Sequence, residues 1–202
     1  MDFTKTKAAL EALGYKVTVC PNKEEASDYL NAQLDGTSVG FGGSMTFKEM
    51  GLFESLSQHN VVLSHLDVQP GMTKDATRAA AANTEHYITS VNGLAETGEI
   101  INIDGYGNRV ASTLYGHKKV WFVVGRNKLA PTYDEALWRA RNIAGPKNAI
   151  RYQAKTPCVA SGGEKCFDCK SPERICNALV VFWRKVTSCD MEVVLIDEDL
   201  GY

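Results

Sequence analysis

Val120-Trp-Phe-Val-Val124 is apolar at every position. A strand with one wet face alternates apolar and polar residues, so an unbroken apolar run belongs in the middle of a sheet covered on both sides. Outward from it, strand-like and helix-like patterns alternate. Residues 2–13 read as a helix closed by Gly14, and residues 15–20 as a strand carrying Tyr15, Val17 and Val19. Asn22 and Glu25 form a capping box ahead of Ala26, Tyr29, Leu30 and Leu34 at helical spacing. Residues 37–41, 60–63, 87–91, 99–103, 120–124 and 191–196 read as strands. Residues 45–58 read as one helix on the repeat of Phe47, Met50, Phe53 and Leu56, and residues 73–82 as an alanine-rich helix. Thr132 and Glu135 form a second capping box, and Gly145-Pro146 ends that helix. Residues 96–109 look like a hairpin inserted in the sheet, with turn residues at Asp104-Gly105 and Gly107-Asn108. The sum is an α/β fold with a mostly parallel sheet.

The chain has 202 residues, 44% hydrophobic and 23% charged. One domain over residues 1–202 is expected, with a Cys-rich segment, residues 156–178, inside it. A domain of this size buries roughly 70% of its unfolded surface and needs no disulfide framework. Lys and Arg number 22 against 24 Asp and Glu, for a net charge of −2. No dense basic block occurs, so nucleic acid is excluded as a first partner. The longest run of large apolar residues, 178–183, is far below the ~20 residues of a membrane helix. Residues 1–14 lack the apolar core of a signal peptide. The expectation is a cytoplasmic protein with no membrane span, whose six cysteines are reduced thiols or ligands. A homodimer is the base-rate oligomer.

Three segments carry candidate chemistry. In Ser38-Val-Gly-Phe-Gly-Gly-Ser-Met-Thr46 a strand runs through Gly40, Gly42 and Gly43 into a helix starting at Ser44 or Thr46. Free amides there attract anions, and glycines let a phosphate or carboxylate approach the backbone. Met45 stands at the third glycine position of the dinucleotide fingerprint, and no Gly-Lys-Ser/Thr follows as in a P-loop. A tight turn that binds nothing is the other reading. The position at a strand's carboxyl end favours a small anionic ligand. The second segment, residues 90–104 followed by Asn108-Arg109, holds Glu96, Glu99 and Asp104. Asn92, Glu96, Thr97 and Gly98 are expected to share the crevice of the glycine loop. Glu96 is the candidate nucleophile or general base, and a solvated hairpin is the alternative.

The third segment is Cys158-x7-Cys166-x2-Cys169-x6-Cys176. Four thiolates suit either a zinc ion or a [4Fe–4S] cluster. A redox-active dithiol at Cys166 and Cys169, or four unligated cysteines, are the alternatives. Cys20 and Cys189 read as core fillers. His59, His65, His86 and His117 read as surface or capped histidines. Trp138, Arg139 and Arg141 read as a mixed helix face. Neither a Gly-x-Ser-x-Gly nor a His-Glu-x-x-His motif occurs.

Five stretches stand in a familiar order: Val39-Gly-Phe-Gly-Gly-Ser-Met45, Val91-Asn-Gly-Leu-Ala-Glu-Thr-Gly98, Asn108-Arg109, Gly125-Arg-Asn-Lys-Leu129 and Tyr133-Asp-Glu-Ala-Leu-Trp-Arg139. Together they resemble the LUD-domain family, which includes the lactate utilization protein C (LutC, YkgG-like, DUF162) proteins. The resemblance runs from the first helix to about Cys176. It implies a three-layer α/β/α fold similar to the NagB/RpiA/CoA-transferase group. It also implies a link to oxidation of L-lactate to pyruvate beside iron–sulfur oxidoreductase subunits. Related folds bind phosphosugars or CoA esters at the strand ends, which would put Gly40, Gly42, Gly43, Ser44, Asn92 and Thr97 at the pocket. Glu96 lacks the Glu-Asn-Gly context of the CoA-transferase glutamate. The four-cysteine tail marks a subset of the family, where it would pass electrons or hold a stabilising zinc. Three readings stay open: a component of lactate (2-hydroxy acid) oxidation, a stand-alone enzyme for a CoA ester or phosphorylated small molecule, and a zinc-stabilised binding module.

Overall fold

The computed structural model describes residues 3–202. Its strands are β1 (Lys16–Cys20), β2 (Ser38–Phe41), β3 (Val61–Ser64), β4 (His86–Thr89), β5 (Gly93–Ala95), β6 (Ile100–Asp104), β7 (Lys119–Gly125), β8 (Leu129–Ala130), β9 (Ala178–Phe182) and β10 (Asp190–Ile196). Its α-helices are α1 (Phe3–Ala12), α2 (Lys23–Gln33), α3 (Met45–Met50), α4 (Leu52–Leu56), α5 (Lys74–Ala81), α6 (Asn108–Leu114), α7 (Tyr133–Arg139), α8 (Gly145–Arg151) and α9 (Pro157–Ala160). Asp2, placed at the start of the first helix from the sequence, lies outside the described residues.

Six strands form a sheet in the order β1-β10-β7-β4-β2-β3, and every pairing is parallel. The stretch at 120–124 lies inside it, between β10 and β4. Its side chains divide as a two-faced strand requires. Val120, Phe122 and Val124 enter one core with Leu10 of α1 and with Leu94, Ile100 and Phe182. Trp121 and Val123 enter the opposite core with Ala26 and Leu30 of α2, Phe47 of α3 and Leu52 and Leu56 of α4. Each large apolar side chain fully withdrawn from water contributes about 1.5–3 kcal/mol. The architecture is three-layer α/β/α with a parallel central sheet, as expected.

Glu192 of β10 is buried, and its carboxylate is satisfied from several sides. It accepts from Thr18 Oγ1 at 2.7 Å, Tyr29 Oη at 2.6 Å and Lys119 Nζ at 2.7 Å. Burial pushes its pKa up, but these bonds outweigh burial and hold it below the usual carboxylate value. It ties β1, α2 and β7 together across one end of the sheet.

A second sheet, ordered β8-β5-β6-β9, packs beside the first. β5 and β6 pair antiparallel through a turn at residues 96–99, and β6 pairs antiparallel with β9. The hairpin is therefore displaced from the expected 96–109, and it belongs to this smaller sheet rather than the main one. Residues 108–114 turn helical after Gly107, whose φ of +95° opens the helix. The expected single helix 45–58 is broken at Gly51, whose left-handed φ of +59° closes α3 and starts α4. Gly145-Pro146 does not end its helix either. The chain passes from α7 through a π-helical turn (Ala140–Ala144) into α8, with Pro146 in the first turn. The Gly145 amide reaches Ala140 O, and this wider i→i+5 turn absorbs the proline at a helical start, where its missing donor costs little. Both anticipated N-caps form: Glu25 N donates to Asn22 Oδ1 at 2.8 Å and Glu135 N to Thr132 Oγ1 at 3.2 Å. Cys20 and Cys189 are buried core residues, as read. Among the described residues no helix is long and apolar enough to cross a membrane.

Candidate functional site

The carboxyl ends of β2, β3, β4 and β7 converge on one cavity of about 380 Å³. Ligands in open α/β sheets bind at this edge because the loops leaving the strands diverge there. The β2–α3 loop contributes Gly43 and Ser44, the end of β3 His65, the end of β4 Ser90 and Asn92, and the turn after β7 Lys128. Asp104, Tyr106, Asn108 and Arg109 approach from β6 and α6, Asn148, Arg151 and Tyr152 from α8, and Arg174 from the Cys-rich segment.

Its charge is lopsided. Arg78, Arg109, Lys128, Arg151 and Arg174 line it against the single carboxylate of Asp104. The chain as a whole is slightly acidic, so this clustering is local. Most of the cations are engaged. Arg109 donates to Asn102 Oδ1 at 2.5 Å, Ile103 O at 2.6 Å, Asn92 Oδ1 at 3.1 Å and Ser90 O at 3.3 Å, tying the end of β4 to β6. Arg174 donates to Cys169 O at 2.7 Å and Cys176 O at 2.9 Å. Arg78 pairs with Asp75 at 2.6 Å and stacks on Tyr106. Arg151 differs. Among the described residues it has no acidic partner; one terminal nitrogen donates to Tyr152 Oη at 3.2 Å, and its buried Nε has no partner. Arg78 Nε is likewise buried without a partner among the described residues. A cavity lined by so many cations against one carboxylate side chain is suited to an anion.

His65 is held below the usual histidine value by burial, then by the charges of Arg78, Lys74 and Arg151, with Asp104 acting the other way, which favours its neutral form. Lys128 is 2% exposed. Among the described residues its amine hydrogen-bonds only hydroxyls, Ser90 Oγ at 2.9 Å and Thr46 Oγ1 at 3.1 Å. Burial, then the neighbouring Arg139 and Arg109 guanidiniums, bring its pKa down to about 7, with Glu49 acting weakly the other way.

That shift makes stability depend on pH in a defined sense. The unfolded chain keeps the Lys128 proton up to its ordinary value of 10.5, and the folded chain only up to about 7. Between those values the unfolded state binds more protons, so folding gains as pH rises, and below the window the penalty is constant. Lys128→Met removes this dependence. The native chain should therefore gain about 2 kcal/mol on the variant between about pH 7 and about pH 9, read by denaturant unfolding. A difference that does not move with pH would contradict the assignment.

The site residues expected from sequence fall into distinct places. Gly43, Ser44, Asn92, Asn108 and Arg109 line the cavity. Gly42 sits behind it: a Cβ there would stand 3.1 Å from Arg109 Cγ and Cδ and 2.9 Å from Thr89 Oγ1, so the missing side chain makes room for the Arg109 stem. Thr46 is buried and reaches the cavity through Lys128. Gly40 packs on α5, where a Cβ would stand 2.5 Å from Ala81 O. Glu96, Thr97 and Gly98 form the β5–β6 turn and are not part of the cavity lining. Glu96 N donates to Ala130 O, Thr97 bonds Glu99, and Gly98, at φ +102°, is pressed on Leu13 and Ala9. Arg139 donates to Asn127 O at 2.6 Å and Asn92 O at 2.7 Å, so it positions the loops behind the cavity, and Trp138 is exposed.

His65, Arg78, Lys128 and Arg151 were not singled out from sequence. Lys128 had a usable signal, as the first lysine after the fully apolar strand β7. His117, read as a surface or capped histidine, is buried and capped: its Nδ1 lies 2.7 Å from Thr84 O and its ring stacks on Tyr87.

The four-cysteine segment lies beside the cavity and shares Arg174 with it. Cys166, Cys169 and Cys176 are close enough that the charges of the first two raise the pKa of Cys176, though less than its burial does, while Arg174 opposes them. Cys158 Sγ sits 3.2 Å from Thr156 Oγ1. Among the described residues no three His, Cys, Asp or Glu side chains converge tightly enough to hold an ion. The chemistry of the donor set, four half-buried free thiols, one on α9 and three on the chain that follows it, fits a thiophilic metal.

The LUD-domain family profile matches residues 3–196. No protein of curated function matches the sequence. Among solved structures, a DUF162 family protein from Deinococcus radiodurans superposes with a TM-score of 0.54 at 13% identity, covering 96% of this chain and 94% of that one. The eIF2B beta of Chaetomium thermophilum shares 10% identity, with 65% of this chain and 43% of that one covered at a TM-score of 0.31, a likeness too slight to carry an argument. The same fold thus recurs at low identity over nearly the whole chain, and on the match over residues 3–196 the chain belongs to the LUD-domain family.

Proposed function

We propose that this chain serves lactate (2-hydroxy acid) utilization, as a component of an iron–sulfur oxidoreductase system that converts L-lactate to pyruvate, and that it holds the carboxylate of the small acid in the cationic cleft. The observation that carries this reading is Arg151, a guanidinium with no acidic partner among the described residues, facing a cavity rich in positive charge. Arg151 would bind the carboxylate, with Ser44 and Asn148 as further polar contacts. Neutral His65 is the proton acceptor at hand for the substrate hydroxyl. Oxidation of lactate releases two electrons and two protons, and the electrons would pass to the iron–sulfur partner subunits. Cys158, Cys166, Cys169 and Cys176 would hold a [4Fe–4S] cluster or a zinc ion; a cluster would supply electron transfer and zinc only stability.

A second reading, a stand-alone enzyme for a CoA ester or phosphorylated small molecule, is favoured by the cavity volume of about 380 Å³, which exceeds the need of a three-carbon acid. Anaerobic purification with metal and sulfide analysis, followed by thermal-shift titration with L-lactate, pyruvate, CoA and inorganic phosphate, separates the readings. Iron with sulfide, and stabilisation by lactate or pyruvate, are expected. Zinc without response to any anion would leave a binding module, and stabilisation by CoA or phosphate alone would favour the second reading.

A further inference from the structure

Lys128 has the surroundings of a nucleophile rather than of a structural ion pair. It is enclosed yet lines the cavity, and among the described residues no carboxylate pairs with it. Thr46 Oγ1 reaches Leu200 O at 3.4 Å with its own proton, so toward Lys128 it can only accept. Ser90 Oγ, at 2.9 Å, can donate or accept. A neutral amine is therefore fully accommodated, giving one proton to Thr46 and leaving its lone pair toward Ser90 or the cavity. A permanent ammonium would lack the counter-charge that burial demands.

We infer that Lys128 is a carbonyl-capturing residue: its Nζ adds to the carbonyl carbon of a small anionic aldehyde or ketone whose acidic group is held by Arg151. The inference rests on the anion-binding reading of the cleft and adds a covalent step to it. The Nζ lone pair forms the C–N bond, and the carbonyl oxygen leaves as water with two protons from the amine. A C=N bond replaces C=O, and no electrons are gained or lost. Its surroundings set its basicity: burial, then Arg139 and Arg109, favour the neutral amine, and Glu49 opposes them. At pH 7 about half of Lys128 is free amine, whereas an ordinary surface lysine is almost wholly protonated.

The test uses the intact chain and glyoxylate, the smallest carboxylate-bearing aldehyde, trapped by borohydride as carboxymethyl-lysine and mapped by peptide mass spectrometry. Acetaldehyde serves as the uncharged control and the exposed Lys118 as the internal reference. Glyoxylate should modify Lys128 on the order of tenfold or more faster than Lys118, with a pH–rate midpoint near 7, and faster than acetaldehyde does. Labelling of Lys128 no faster than Lys118 would overturn the inference. Phosphate titrated in parallel by calorimetry shows whether the cleft reading survives that failure: binding without labelling removes only the nucleophile. Equal labelling by both aldehydes would remove the anion-guided capture and the cleft reading together.

Discussion

Replacing Arg109 with leucine should lower the unfolding free energy by about 3–5 kcal/mol, because it leaves several buried oxygens without their donor. Four hydrogen bonds run from this side chain to Ser90, Asn92, Asn102 and Ile103, linking the edge of the main sheet to the smaller one. Leucine matches none of them, so buried oxygens at Asn92, Asn102 and Ile103 lose a donor. Gly42 leaves the space through which the arginine stem passes, and the shorter leucine leaves part of that space empty. Urea unfolding followed by far-ultraviolet circular dichroism measures the loss. A change below about 1 kcal/mol would mean that the network does not join the two sheets in solution.

Replacing Arg151 with glutamine should weaken anion binding by roughly tenfold to a hundredfold, the worth of about 1.5–3 kcal/mol for a hydrogen bond to a charged group. Stability should change by no more than about 0.5 kcal/mol, because among the described residues Arg151 holds only a hydrogen bond and a ring contact to its neighbour Tyr152. Calorimetric titration of pyruvate or phosphate into both proteins reads the affinity, and thermal unfolding reads the stability. The contrast with Arg109 is informative. One cavity arginine is committed to the protein and the other is free for a ligand, so their substitutions should separate stability from binding. An Arg151 variant that binds as the native chain does would remove the carboxylate contact.

The central sheet was legible because its strands are apolar on both faces. Val120 to Val124 leaves no polar side for water, and Val193 to Ile196 repeats the pattern. The smaller sheet was not, for an equally physical reason. β5 has three residues and β8 two, and β9 begins with exposed residues, so none carries a period long enough to read. Gly51 and Pro146 show the limit of punctuation residues. A glycine can stop a helix by turning left-handed or pass unnoticed within it, and a proline can end a helix or open the next one. Tertiary packing makes the choice. At the site, the glycine loop, Asn92, Asn108 and Arg109 were visible because they follow strands or turns. His65, just past β3, and Arg78 of α5 meet Arg151 of α8 more than seventy residues later, and only the folded chain brings them together. Glu96, Thr97 and Gly98 share a segment with Asn92, yet the hairpin turn sets Gly98 against Ala9 of α1 and Glu96 against Ala130 of β8, outside the cavity lining.

The most direct measurement is a crystal structure of the protein grown with pyruvate, refined without the anion and inspected for difference density. A carboxylate against Arg151, with the keto carbon turned toward Lys128, is the expected result. Pyruvate bound elsewhere on the surface, with the cleft between Arg151, His65 and Lys128 filled only by water, would contradict the assignment of this cavity as the anion site.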